Sequence, residues 1–238
     1  MINYTNYFKK TINSENLIEY RKESGKHNLS LHFDGKKSWG EGFVLDYGGR
    51  IGEKTSMLKN VIVVEQDSDA IKWMKKNNIA CSEAKNLLID YKSKKIDMIY
   101  ASHVLEHVTN PIQTLLDFYT VLDDEGLLII ALPSDFATLR PQVKEIDGGG
   151  DEHLFCWNFT EIKNLLIESG FIVTDYKLNT IPYRVGKAFN GLNKFKFWQL
   201  IWLVLNTLRW WTNIITFLIN KKAKLSTLGE IILYAKKK

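Results

Sequence analysis

The sequence predicts an α/β fold, a doubly wound parallel sheet carrying helices on both faces. Five times over, a short apolar run gives way to an amphipathic stretch, and strands connected through helices run parallel. Two of the runs, VIVVEQD and IDMIYAS, are continuously apolar, as strands covered on both sides should be. Glycines and acids gather just past the ends of the runs, where ligands bind to such sheets.

Phe43, Val44 and Leu45 form the first strand, which ends at Asp46 and leads into Gly48, Gly49 and Gly52. Glycines there suit a turn that brings backbone close to a ligand, although a plain strand-to-helix connection uses them too. A short helix over GEKTSMLKN should follow. Val61 to Asp67 is the second strand, and SDAIKWMKKNN is an amphipathic helix with Ile71 and Met74 facing inward. Ala80 to Ser82 reads as a short third strand, and Ile96 to Ser102 as the fourth. PIQTLLDFYTVL is a helix opened by Pro111 at a first-turn position. Gly126 to Pro133 is the fifth strand. FTEIKNLLIESGF is a helix with Thr160 as its cap and Gly170 as its stop. FIVTDYKL and GEIILYAK supply the last two strands, some fifty residues apart. Ahead of all this, Asn13 or Ser14 caps a helix running through Arg21, with Leu17 and Tyr20 inward.

A chain of 238 residues, 45% of them hydrophobic, has enough apolar material for a large core, which argues against disorder. Its two cysteines, Cys81 and Cys156, are too few for a disulfide framework and fit a reducing, cytoplasmic setting. MINYTNYFKK has no apolar run of the kind a cleavable signal carries. Charge is uneven: Tyr176 to Gly229 holds nine Lys or Arg and no Asp or Glu, so this segment is +9 and the remainder −4. The basic segment is also heavily apolar, which points to a membrane surface or lipid-linked substrate rather than to nucleic acid.

In order along the chain, VLDYGGRIG, VVEQD, CSEAKNL, IDMIYASHVLEHVTNP, LDDEGLLIIALPS and HLFCWNFTEIKNLLIESGF together resemble the class I S-adenosylmethionine-dependent methyltransferases. More narrowly they resemble the branch with H-V-L-E-H after the fourth strand. The resemblance implies a seven-stranded Rossmann-like sheet whose last strand is antiparallel. It divides the chain into a cap segment at 1–41, a cofactor-binding core at 42–180, a basic helical insertion at 181–227 and a final core strand at 228–238. It also implies roles. Asp46, Gly48, Gly49 and Gly52 line the methionine end of S-adenosylmethionine. Glu65, followed by Gln66, accepts from the ribose hydroxyls, Glu83 and Ala84 meet the adenine, and Ser102 closes the cofactor site from the fourth strand. Asp67 is read as a helix cap. Arg50 stands where the family has glycine, so its side chain either turns away or meets the cofactor's carboxylate. A site degenerated past cofactor binding is the alternative.

In SHVLEH, a helical conformation would put His103, Glu106 and His107 on one side. Three readings stay open. One histidine packs under the sheet while Glu106 caps or pairs; or His107 or His103 is a general base, an imidazole being suited to proton abstraction near neutrality. In the third, His103, Glu106, His107 and His153 hold a divalent metal, an arrangement resembling the small-RNA 2′-O-methyltransferases but richer in histidine and better suited to a transition metal than to Mg²⁺.

The stretch Phe197 to Asn220 carries four of the seven tryptophans and a polar stripe at Gln199, Asn206, Arg209, Asn213, Thr216 and Asn220, with lysines on both flanks. Arg209 near its middle, and the strand that must return afterwards, argue against a spanning helix. An interfacial helix at the inner face of the membrane, a cover for the substrate cleft and a homodimer face are the competing readings. With SHVLEH and the later HLFCWNF segment, the chain resembles methyltransferases of polysaccharide biosynthesis, and that resemblance implies O-methylation of a saccharide or surface-glycan precursor, lipid-linked or not. The rivals are a quinone or lipid O-methyltransferase and a non-catalytic methyltransferase-like binding subunit.

Overall fold

Among the described residues, each apolar run expected as a strand forms one, and the strands make a single sheet. The computed structural model describes residues 18, 22, 25, 29, 32, 33, 42–133, 153–179 and 230–238. In chain order the elements are β1 (Val44–Tyr47), β2 (Val61–Glu65), α1 (Ser68–Lys76), β3 (Cys81–Glu83), α2 (Leu87–Tyr91), β4 (Ile96–Ser102), α3 (Pro111–Val121), β5 (Leu122–Pro133), α4 (Phe159–Glu168), β6 (Phe171–Asn179) and β7 (Glu230–Lys237). Across the sheet they lie β3-β2-β1-β4-β5-β7-β6. β1 to β5 pair in parallel, while β7 runs antiparallel to both β5 and β6.

Alternate side chains on each strand serve opposite faces. Leu45, Ile99, Leu128, Ile130 and Leu233 point to one face, where Leu115 and Phe118 of α3 and Ile162 and Leu166 of α4 cover them. Val44, Met98, Tyr100, Ile129 and Tyr234 point to the other, under Leu29 and Phe33. Beside them Val63 packs against Ile71 and Met74 of α1, the two residues expected to face inward. Ile18, Lys22, Gly25, Leu29 and His32 are helical, and a side chain at Gly25 would strike the backbone of Glu53 and Lys54. The rest of the 1–41 cap segment and all of the 181–227 insertion, with its 197–220 stretch, lie outside the described residues.

Local differences from expectation have local causes. No helix forms over GEKTSMLKN; Arg50 to Met57 is a run of turns. Its Glu53 and Thr55 are buried polar residues, 4% and 1% exposed, so the segment offers no apolar stripe for a helix to bury. The cap of α4 is Asn158, two residues before Thr160: the Asn158 side chain accepts from the Glu161 amide at 3.0 Å, and Glu161 accepts from the Asn158 amide at 3.3 Å. β5 begins at Leu122 rather than Gly126, with a register shift opposite Ile96 and Met98 absorbing the extra residues. Asp67 does cap α1, accepting from the amides of Asp69 and Ala70. Gly170, at φ +90°, ends the α4 turn where a side chain would meet the ring of Tyr119.

Phe118 is fully buried and meets Tyr47 edge-on at 4.7 Å between ring centres. Phe118→Ala should destabilise the protein by about 3–5 kcal/mol in urea unfolding, the usual result of emptying a large aromatic site. A loss below about 1 kcal/mol would mean that this face of the sheet is not the core.

Candidate active site

The carboxyl ends of β1, β2, β3 and β4 face one edge, and the residues expected to bind cofactor stand there. Gly48 takes φ +69°, and a side chain on it would run into Val104, so the β1 turn lies directly against the loop after β4. At Gly49 an added Cβ would fall 2.4 Å from the Asp46 carboxylate. The two glycines therefore leave backbone where any other residue would fill the space. Asp46 itself is only 2% exposed and accepts a hydrogen bond from the Thr55 hydroxyl at 2.6 Å. Burial pushes its carboxyl up to about 7, against the pull of Thr55 and Lys54.

Arg50 adopts φ +58°, the left-handed region that a glycine takes at little cost. Its amide donates to Glu65 Oε2 at 2.9 Å, and its guanidinium lies 3.7 Å from the buried Glu53 carboxylate. The other oxygen of Glu65 accepts from the amides of Gln66 at 2.7 Å and Asp67 at 3.1 Å. Burial raises the Glu65 carboxyl above its ordinary value despite these bonds. Glu65 and Glu83 are register partners on β2 and β3, so the ribose and adenine candidates are neighbours. Glu83 is well exposed and pairs with Lys85 at 2.6 Å, which holds its carboxyl low, and Ala84 opens a 3-10 turn. At the end of β4, the Ser102 hydroxyl accepts from Lys54 Nζ at 3.0 Å. Lys54 did not figure in the sequence reading, because nothing in EKTSM distinguishes a lysine folded inward from a solvated one.

SHVLEH is a turn, not a helix. His103 sits at φ +56°, its amide donates to the Ala131 carbonyl at 2.8 Å, and the His107 amide closes on the Val104 carbonyl at 2.9 Å. Positive φ at a histidine costs on the order of 1–3 kcal/mol and is typical of residues held for function. The turn parts the histidines. His103 Nε2 lies 2.8 Å from Glu230 Oε1 on β7, and Nδ1 lies 3.5 Å from Glu106. Glu230 in turn meets His32 Nε2 at 3.0 Å, and His32 Nδ1 meets the Tyr100 hydroxyl at 2.8 Å. Burial draws the His103 imidazole down, but the neighbouring Glu106 and Glu230 carboxylates outweigh it and hold the ring at about 9. Correspondingly the two histidines hold Glu230 well below the carboxylate range although burial opposes them. Glu230 and His32 were not candidates from the sequence; they are 198 residues apart, and only the β5-β7 pairing delivers Glu230 here.

The remaining side chains form a second group. Glu106 is fully buried, and among the described residues neither of its carboxylate oxygens takes a hydrogen bond. Its carbonyl accepts from the amides of Leu154 at 2.7 Å and Phe155 at 3.2 Å, which pins the neighbouring His153 beside it. The rings of His107 and His153 meet edge-on at 4.8 Å. One ligand atom from each of Glu106, His107 and His153 falls within 4.8 Å of the others.

A sheet of this strand order with a reversed last strand, and glycines and acids lining its carboxyl edge, defines a cofactor-binding α/β protein of the methyltransferase kind. Residues 18–176 match the family described as a methyltransferase domain. The chain belongs to that family and has the fold of the class I S-adenosylmethionine-dependent methyltransferases. Among solved structures it is similar to a SAM-dependent methyltransferase from Archaeoglobus fulgidus (17% identity, 99% of this chain and 100% of that one, TM-score 0.57). A SAM-dependent methyltransferase from Thermotoga maritima, described as a possible histamine N-methyltransferase, is 13% identical over 97% of this chain and 98% of that one, with TM-score 0.61. The 4+2 cyclase SpnF is 14% identical over 89% of this chain and 80% of that one, with TM-score 0.57. No curated protein sequence matches the chain. Among the described residues, no helix is long and apolar enough to cross a membrane.

Because the folded pKa of Asp46 is raised, its ionisation opposes folding: the penalty is absent below about 3.8 and complete once pH passes about 7. Asp46→Asn should thus stabilise the cofactor-free protein at pH 8, by up to about 4 kcal/mol, with the gain gone near pH 4. Urea unfolding at both values measures it, and an equal gain at both would show that charge burial is not the cause.

Proposed function

We propose that the chain transfers a methyl group from S-adenosylmethionine to a hydroxyl of a saccharide or surface-glycan precursor. The observation carrying the cofactor half is the buried Asp46 carboxylate at the end of β1, packed so closely on the Gly49 backbone that no side chain fits there, with Thr55 as its side-chain hydrogen-bond partner. Such an acid suits the cationic amino end of the cofactor, and removing it would favour the fold, a trade typical of binding sites. Glu65 presents an oxygen pair to the ribose, and Glu83 flanks it for the adenine. When bound, the cofactor supplies an electrophilic methyl on a sulfonium, and the protein has only to align the acceptor and take its proton.

The acceptor half rests on what adjoins that site. A neutral amine can be methylated without a base, but a sugar hydroxyl must lose its proton. The reading is supported by Val104, which packs on Gly48 and so brings the SHVLEH turn next to the glycine turn after β1. His107 takes the proton directly, or Glu106 and its histidine neighbours do so with a divalent metal; His103, held at about 9 beside Glu106 and Glu230, is already charged near neutrality and has no site to accept it. The basic, apolar 181–227 segment supports an anionic acceptor, a polyprenyl-phosphate carrier being one that combines charge with apolar length. A quinone or lipid acceptor uses the same edge and the same segment. The non-catalytic reading keeps its motive in Arg50, and the similarity to a cyclase shows why fold alone does not decide the reaction.

Calorimetric titration with S-adenosylmethionine should give 1:1 binding at micromolar concentration. Glu65→Gln should weaken it roughly tenfold to a hundredfold, as loss of a charge-assisted bond does. Incubation with sugar nucleotides, polyprenyl-linked sugars and quinols, followed by mass spectrometry, then identifies the methylated class. No binding by folded protein would overturn the enzyme, and methylation of the quinol alone would overturn the saccharide.

A further inference from the structure

We infer that Glu106, His107 and His153 form a binding site for one divalent transition-metal ion of the Zn²⁺ type. The argument starts from Glu106. Its side chain is fully buried, and neither carboxylate oxygen accepts a hydrogen bond from any described residue. An ionised carboxylate withdrawn from water without such bonds is among the most costly groups a fold can carry, and it calls for a cation. The nearest charged candidates are poorly placed: His103 Nδ1 is 3.5 Å from Oε1 and His107 Nε2 is 4.0 Å from it. His103 is, moreover, committed at shorter range to Glu230, at 2.8 Å.

A metal would meet this need. Glu106, His107 and His153 each bring one ligand atom to within 4.8 Å of the other two. Tetrahedral ligands at the usual Zn²⁺ distances stand about 3.4 Å apart, so the two imidazoles need only close in on the carboxylate. The geometry is held from the backbone. The Glu106 carbonyl accepts from the amides of Leu154 and Phe155, at 2.7 and 3.2 Å, which fastens the His153 segment to the SHVLEH turn. Two imidazoles and one carboxylate form a borderline donor set, favouring Zn²⁺, Co²⁺ or Fe²⁺ over Mg²⁺ or Ca²⁺, which prefer oxygen alone. Three protein ligands leave a coordination position for a further oxygen, the arrangement of metal sites that act rather than merely brace. Binding itself does not depend on the acceptor proposed above; a role in activating a hydroxyl rests on that reading.

The test uses the full chain, stripped with chelator and dialysed, and then titrated with Co²⁺ and Zn²⁺. A visible d–d absorption saturating at one Co²⁺ per chain, displaced by Zn²⁺, and a rise in melting temperature with Zn²⁺ are expected. Mg²⁺ should produce neither. Glu106→Gln, His107→Ala and His153→Ala, each checked for folding by circular dichroism, should lower Zn²⁺ affinity at least about a hundredfold. His153 lies at the edge of the cluster, so its variant remains informative even if one at the buried Glu106 does not fold. Absence of Co²⁺ absorption, or binding undiminished in the folded variants, overturns the site. Titration of the stripped protein with S-adenosylmethionine separates the two ideas: cofactor binding without metal binding leaves the methyltransferase standing, and the converse leaves only the metal site.

Discussion

Carboxylates drawn out of water at one edge of the sheet impose the constraint around which the rest of this site is arranged. Asp46, Glu53, Glu65, Glu106 and Glu230 have side chains no more than 16% exposed, and each must be compensated. The compensation differs in kind. Glu65 is met by three backbone amides, which also fix the turns after β1 and β2. Glu230 is clasped by two histidines from distant parts of the chain. Asp46 has the Thr55 hydroxyl, with Lys54 nearby, and stays partly protonated near neutrality. The Glu106 carboxylate has no hydrogen bond among the described residues. The progression runs from a carboxylate met by three amides to one met by none.

That gradient explains the middle of the glycine turn. Arg50 stands at a left-handed φ where the family pattern has glycine. The strain is accepted because the conformation is imposed by the amide bond to Glu65, and the side chain is used: it reaches back to the buried Glu53, which also accepts from the Ile51 amide at 3.3 Å. The arginine therefore turns along the loop towards Glu53. An altered residue at a turn need not mean a lost site when the backbone retains its path.

What the sequence made legible is what periodicity and local chemistry control. The seven strands, the inward pair Ile71 and Met74, the Asp67 cap and the glycine at 170 are each settled by residues within a few positions. The sheet's reversed last strand came through the family pattern, not from periodicity. The conformation of SHVLEH stayed open in the sequence because i, i+3, i+4 spacing suits both a helix and a turn, and what decides for the turn is the bond from His103 to Ala131 on a neighbouring strand. Likewise the choice of Asn158 over Thr160 depended on which residue Glu161 could reach back to. Glu230 and His32 were invisible for a stronger reason. A glutamate opening the final strand and a histidine in an N-terminal helix have no local signal linking them to His103, and only completed strand pairing does so.

This non-locality has a consequence for how the site forms. His32 hangs from helical residues whose Leu29 and Phe33 pack on Tyr100 and Tyr234, and the Tyr234 hydroxyl donates to the His32 carbonyl at 2.5 Å. Glu230 arrives only when β7 has threaded between β5 and β6. His103 is thus oriented by both ends of the chain, whereas Asp46, Glu65 and Ser102 are oriented by neighbouring parallel strands. The cofactor edge can therefore assemble from contacts among β1, β2 and β4, while the histidine side of the site waits for the antiparallel strand. Pairings of such long sequence separation are the slow ones in folding. The histidine side of the site is accordingly the part that reports whether the whole sheet has closed.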